Sequence, residues 1–393
     1  MILAGISFQY FCFALVHFST SALASEISGD LGFGYSGMGA IMGAWPMVYI
    51  FLSIPAGLAV DRFGSRILLY VGIAMISVST LLRGSATSFQ EMYLAFVIFG
   101  IGAPLVSIGI PKVVREWFGV PERGTALGIA MAFVAVGSVM GLTVSRELVD
   151  AFNFHWRDVY CFYGITCAIS LFSWLIIMLS LDRYWIFADR LRSTASSLSS
   201  RIGVLLGERA TRLTLVTAIG VLFYLHGTIN WLPEILHQRA ENLGAAKATD
   251  LAAMPIIIAA FSALIMPRLA KRFSVVTVLA SLFLAAAGSC MLLALLSDAG
   301  WIYLALILNG IVRGALLPLA TLLVMQLEGV DESNMGLAMG LFFSFGQVGG
   351  FTGPMGIGYL AEVSAGFEMP LIFLTVFCMI LASLVYRIRV YQV

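Results

Sequence analysis

Gly57-Leu58-Ala59-Val60-Asp61-Arg62-Phe63-Gly64-Ser65-Arg66 is the stretch from which the rest of the chain is read. It separates two apolar runs, 37–60 and 66–84. Each run is long enough to cross a bilayer as a helix, which takes roughly 20 residues. The stretch therefore reads as a short charged turn between two spans. Gly57 permits close helix contact, and Gly64 permits a tight turn because it has no Cβ. Asp61 can accept from Arg62, from Arg66 or from the N-terminus of a neighbouring helix.

The same alternation of apolar run and short polar turn continues in both directions. Of 393 residues, 60% are hydrophobic, 11% are charged, and the mean hydropathy is +0.98. A soluble globule carries roughly 25% charged residues, so too few exist here to cover a water-facing surface. An ordinary cytosolic enzyme and a disordered chain are excluded. The net charge of +1 removes any general attraction to nucleic acid.

Twelve apolar helices are expected at 2–24, 37–60, 66–84, 91–112, 124–146, 158–181, 213–234, 249–269, 274–296, 300–323, 334–358 and 369–388. The runs are uniformly apolar rather than alternating, which excludes a closed barrel. Met1-Ile2-Leu3-Ala4-Gly5 has no basic region before the first run, so that run is expected to be a retained span rather than a signal peptide. Cys12, Cys161, Cys167, Cys290 and Cys378 lie in apolar runs without a CxxC pair and read as small buried hydrophobes.

Orientation follows from lysine and arginine. With the N-terminus inside, 16 of the 22 basic residues fall on the cytoplasmic side and five outside, and Arg313 is left within a helix. Both termini are therefore expected in the cytoplasm, with the chain in a bacterial or archaeal plasma (inner) membrane. The longest polar stretch, 182–212, is expected to be a cytoplasmic linker between six-helix bundles at 1–181 and 213–393. Its Trp185, Phe187, Leu191 and Arg192 suit a short helix on the membrane surface.

The two bundles are expected to be copies. Ala126, Gly128, Gly137 and Gly141 precede Ala338, Gly340, Gly349 and Gly353 by 212 residues. Arg62-Phe63 precedes Arg272-Phe273 by 210, and His17 precedes His226 by 209.

With these features in view, the stretch from Gly57 to Arg66 resembles the loop signature of the major facilitator superfamily, G-x-x-x-D-R-x-G-x-R. Trp117-Phe118, Glu122 to Gly128, and His155-Trp156-Arg157 are similar to further segments of that family. The second-half copy, Pro267 to Phe273, lacks the aspartate and the closing glycine. Gly137 to Gly141 lacks the proline of the drug–proton antiporters; a Gly-Pro pair stands instead at Gly353-Pro354. Gly100 to Pro104, Lys112 to Phe118 and Trp231 to Pro233 are similar to the cyanate/nitrate-type porter branch. The resemblance implies an all-α polytopic membrane protein of 12 transmembrane helices in two pseudo-symmetric six-helix bundles. It implies alternating access, with the first, fourth, seventh and tenth helices lining the cavity. It also implies that Gly57, Asp61, Arg62, Gly64 and Arg66 latch helices across the two halves.

Polar residues at mid-depth in those helices are the site candidates. An arginine at mid-span costs roughly 2.5–3.5 kcal/mol to insert, so Arg313 is expected to face water, a partner or a ligand. Its guanidinium suits a carboxylate or oxyanion. His17 and His226 are expected on equivalent walls, binding substrate or carrying a transport proton. Asn230, Tyr224, Asn309, Ser107 and Gln347 are secondary candidates, for substrate or for interhelical hydrogen bonds. Arg83, Arg146 and Arg157 are expected to snorkel to the headgroups. No nucleotide loop, catalytic constellation, cofactor site or metal site is evident, so the chain is not expected to be an enzyme.

The expected function is secondary active transport of a small solute, an organic or inorganic anion, by a monomer, with a coupling proton open to it. Three alternatives stand beside it: an exporter of amphipathic or lipid-like molecules, a metal carrier using His17 and His226, and a transporter-like receptor.

Overall fold

A computed structural model describes residues 1–180, 203, 205–239, 245–295, 298–327, 330 and 335–388, without the side chains of 61, 120, 245, 246, 267, 271 and 336. The expected linker 182–212, with its surface helix, lies largely outside the described residues.

The described residues include twelve long helices and the short α2 (Ala24–Leu31). The first unit holds α1 (Ile2–Ala22), α2 (Ala24–Leu31), α3 (Tyr35–Phe63), α4 (Ser65–Ser85), α5 (Phe89–Trp117), α6 (Val120–Asp150) and α7 (Trp156–Ser180). The second holds α8 (Arg209–Arg239), α9 (Ala245–Phe273), α10 (Val275–Leu295), α11 (Ala299–Met325), α12 (Met335–Val363) and α13 (Glu368–Val385). The two compact units are Met1–Arg192 and Ser193–Val393. Each long helix falls on one of the twelve apolar runs. Eleven are long and apolar enough to cross a membrane by length and composition. The other, α12, is diluted by eight glycines and Gln347.

The ends of the helices follow local chemistry. The signature turn is the single residue Gly64, at φ 88° and ψ 148°, which an L side chain would strain. Ser88 caps α5: its Oγ accepts from Glu91 N at 3.3 Å, and Glu91 Oε2 accepts from Thr87 N at 2.7 Å. The short α2 was not expected. The chain breaks at Leu23, re-enters a helix for eight residues, and stops at Gly32 in the left-handed region.

Glycine sets the closest helix contacts, and these contacts define the repeat. In the first unit, a Cβ on Gly137 or Gly141 of α6 would collide with the backbone carbonyl of Phe11 or Leu15 in α1. In the second unit, a Cβ on Gly349 or Gly353 of α12 would collide with the carbonyl of Ile219 or Phe223 in α8. Ser79 Oγ donates to Ala95 O at 2.6 Å, and 210 residues later Ser289 Oγ donates to Ala305 O at 2.8 Å. A Cβ on Gly100 would stand 2.9 Å from Trp45 O, and one on Gly310 would stand 3.0 Å from Pro255 O, again 210 residues on.

This register corrects the expected histidine pair. Phe11 answers to Ile219 and Leu15 to Phe223, so α1 maps onto α8 with an offset of 208. His17 then answers to Leu225, and His226 to Phe18. A one-residue slip turns a helix by about 100°, so the two imidazoles occupy different faces of equivalent helices. A Cβ on Gly57 would meet no atom of the described residues within 4 Å.

Candidate functional site

The polar cluster of the second unit is built on α8 and α11. Gly310 and Gly314 lie one turn apart on α11 and press on α9. A Cβ on Gly310 would meet Ile258 Cβ at 2.6 Å, and one on Gly314 would collide with Ala259 O. Ser262 Oγ on α9 donates to Ile311 O at 2.6 Å, closing the same seam. Asn309 and Arg313 precede those glycines by one residue each, so they project about 100° away from that seam. Asn309 is buried, and its Nδ2 donates to the Tyr224 hydroxyl on α8 at 3.0 Å. Arg313 is half-buried, and its charge acts on both Tyr224 and His226. Asn230 Nδ2 donates to His226 O at 2.7 Å, within α8. Four of the named residues thus share one neighbourhood, while Asn230 turns back on its own helix. Gln347 on α12 is buried, and its Oε1 has no hydrogen-bond partner among the described residues.

The corresponding positions of the first unit carry different chemistry. With the offset of 210, Phe99 stands where Asn309 does, and Ala103 where Arg313 does. His17 sits there among aromatic rings. Its centroid lies 5.3 Å from Trp45, 5.1 Å from Phe18 and 6.4 Å from Phe99. Phe13 stacks on Phe99 at 5.3 Å. Ser107 pairs with Tyr49 at 3.1 Å, an interhelical bond between α5 and α3.

Within the first unit the signature turn is tied to the end of α5. Ser65 Oγ donates to Glu116 Oε2 at 2.6 Å, and Lys112 Nζ donates to Val60 O at 2.9 Å. Arg62 lies 5.4 Å from the Phe63 ring centroid. The carbonyl of Arg66 accepts from Trp174 Nε1 at 3.2 Å. The Asp61 side chain lies outside the described residues.

The three arginines assigned to headgroups do something else. Arg83 is fully buried. Arg146 pairs with Glu26 of α2 and, at 2.5 Å, with Asp150. Arg157 donates to Ala86 O at 2.8 Å and to Asp30 of α2 at 2.5 Å. The Arg157 guanidinium holds the Asp30 carboxyl below the usual carboxylate range, chiefly through that hydrogen bond. Sequence reading missed Arg83 because it sits two residues from the end of α4, where a long cation ordinarily reaches water. It missed the pairs with Glu26 and Asp30 because α2 supplies those two acids from a segment taken as loop.

Comparison with known proteins agrees with this architecture. A family model described as Major Facilitator Superfamily matches residues 6–354. The "Probable L-galactonate transporter" of Escherichia coli strain K12 is 26% identical over 259 residues, covering 63% of this chain and 56% of that protein. The "Quinolone resistance transporter" of Acinetobacter baumannii is 25% identical over 405 residues, covering 92% of this chain and 87% of that one. A crystal structure of the nucleoside transporter NupG superposes with a TM-score of 0.77 at 14% identity, covering 100% of this chain and 100% of that one. This multi-pass membrane protein is a transporter and belongs to the Major Facilitator Superfamily.

Proposed function

We propose that the solute is a small anion, with a sugar-acid carboxylate as the leading class, and that Arg313 binds its charge. The observation that carries this reading is the mounting of Arg313: two glycines fix α11 on α9, and the half-buried guanidinium acts electrostatically on Tyr224 and His226. A guanidinium fork suits a carboxylate. The similarity to a protein named for L-galactonate, itself a carboxylate, supports the class. Tyr224 and Asn309 extend the polar lining beside Arg313, and Asn230 and Gln347 are the further candidates for it.

Coupling follows from the same cluster. A proton on His226 puts a second positive charge near Arg313. An anion bound at Arg313 offsets that repulsion, so anion and proton binding reinforce one another. His17, ringed by aromatics, is the other proton candidate. The chain works as a monomer in the plasma (inner) membrane with both termini cytoplasmic. Its bundles are 1–181 and 213–393, joined by the linker 182–212. The turn holding Gly57, Asp61, Arg62, Gly64 and Arg66 serves in gating.

Proteoliposome uptake with a panel of sugar acids and neutral sugars tests the reading. Saturable uptake of an acid, reduced at least tenfold in Arg313→Gln with the protein still monodisperse, is the expected result. Undiminished uptake in Arg313→Gln removes Arg313 from the site. The relative named for quinolone resistance favours a second reading, export of amphipathic molecules. Under that reading, binding is indifferent to ligand charge.

A further inference from the structure

We propose a second anion site in the first unit, formed by Arg83 and independent of Arg313. Arg83 lies near the end of α4 and is wholly buried. Its Nη1 donates to Val16 O at 3.3 Å and to Thr20 Oγ1 at 3.4 Å, both on α1. Its guanidinium carbon lies 3.6 Å from the Phe96 ring centroid and 4.9 Å from that of Phe99. The Tyr160 ring lies 5.8 Å away, and the Tyr160 hydroxyl, 2.9 Å from Thr20 Oγ1, also hydrogen-bonds to the Arg83 guanidinium. The group is held from three helices, α1, α5 and α7.

What these contacts leave over points to a ligand. Nε and Nη2 are both buried and have no hydrogen-bond partner among the described residues. Those two nitrogens form one edge of the guanidinium, the edge that takes a carboxylate or halide with two parallel N–H donors. No aspartate or glutamate of the described residues pairs with the charge. An arginine does not escape by losing its proton. Carbonyl, hydroxyl and ring faces offset part of the cost of burial, but they leave a full positive charge and two idle donors in an apolar setting. The ligand class is a small monovalent anion, either an inorganic halide or a short carboxylate.

The test uses the full chain, purified in detergent and carrying Arg313→Gln so that the other candidate cation is gone. Sodium chloride and sodium acetate are titrated separately, in chloride-free zwitterionic buffer, and binding is read by calorimetry. Saturable binding of chloride, acetate or both is expected, weakened at least tenfold by adding Arg83→Lys. That variant keeps the charge and loses the fork. Chloride without acetate identifies an inorganic ion; competition between them identifies one site taking either. Arg83→Gln, checked by circular dichroism, removes charge and fork together and is expected to abolish binding. The absence of saturable binding in the Arg313→Gln protein overturns the proposal. So does affinity that Arg83→Lys or Arg83→Gln leaves unchanged.

Discussion

Asn309 donates to the Tyr224 hydroxyl at 3.0 Å, across the crossing of α11 and α8, and both side chains are buried. The bond fixes the rotation of two helices about their own axes. It also holds the Tyr224 hydroxyl within reach of the Arg313 charge. Tyr224→Phe leaves the Asn309 amide buried without that acceptor, which costs about 1–3 kcal/mol. The midpoint of thermal unfolding should fall, and anion uptake should fall with it. An unchanged midpoint would mean that the amide finds another acceptor.

The glycine seams should be intolerant in a graded way. A Cβ on Gly349 collides with Ile219 O, whereas one on Gly128 meets nothing within 4 Å. Gly349→Ala is expected to destabilise by about 1–3 kcal/mol through overpacking. Gly128→Ala should be neutral or slightly stabilising, as alanine is the better helix former. Equal unfolding midpoints for the two variants would contradict the seam.

The paired serines should respond alike. Ser79→Ala and Ser289→Ala each remove one buried bond to a carbonyl of the next span. Each is expected to cost about 0.5–1.5 kcal/mol. The sites lie in separate units, so the double variant should show the sum. A double variant no worse than either single would show that the two bonds are not independent.

The α2 ion pairs predict an acid-sensitive loss of stability. The Asp30 carboxyl is lowered below its unfolded value of about 3.9 by Arg157. A lowered carboxylate stabilises the fold above the unfolded value, and that contribution is lost as pH falls through the folded value. Unfolding midpoints should therefore drop below about pH 4, and Asp30→Asn should flatten that part of the profile. The pair is partly exposed, so the effect should be small and should shrink with added salt. A profile that Asp30→Asn leaves unaltered would assign the acid sensitivity elsewhere.

Much of this protein was legible in its residues alone. Apolar runs of about 20 residues have one outcome in a bilayer, since backbone groups must bond within the segment. The twelve spans and the Gly64 turn followed from that. The recurring glycines near offset 212 exposed the repeat, because close backbone approach admits only small residues.

Tertiary structure decided which way each helix faces. Lipid and protein core are both apolar, so hydropathy does not separate a lipid-facing residue from a buried one. That is why Arg83, read as a headgroup anchor, is buried against Phe96. It is also why His17 and His226, one residue out of register, looked equivalent. Twelve helices were written in the order of the residues; their rotations came only from contacts such as Gly137 on Phe11 and Asn309 on Tyr224, because one residue along a helix is about 100° around it.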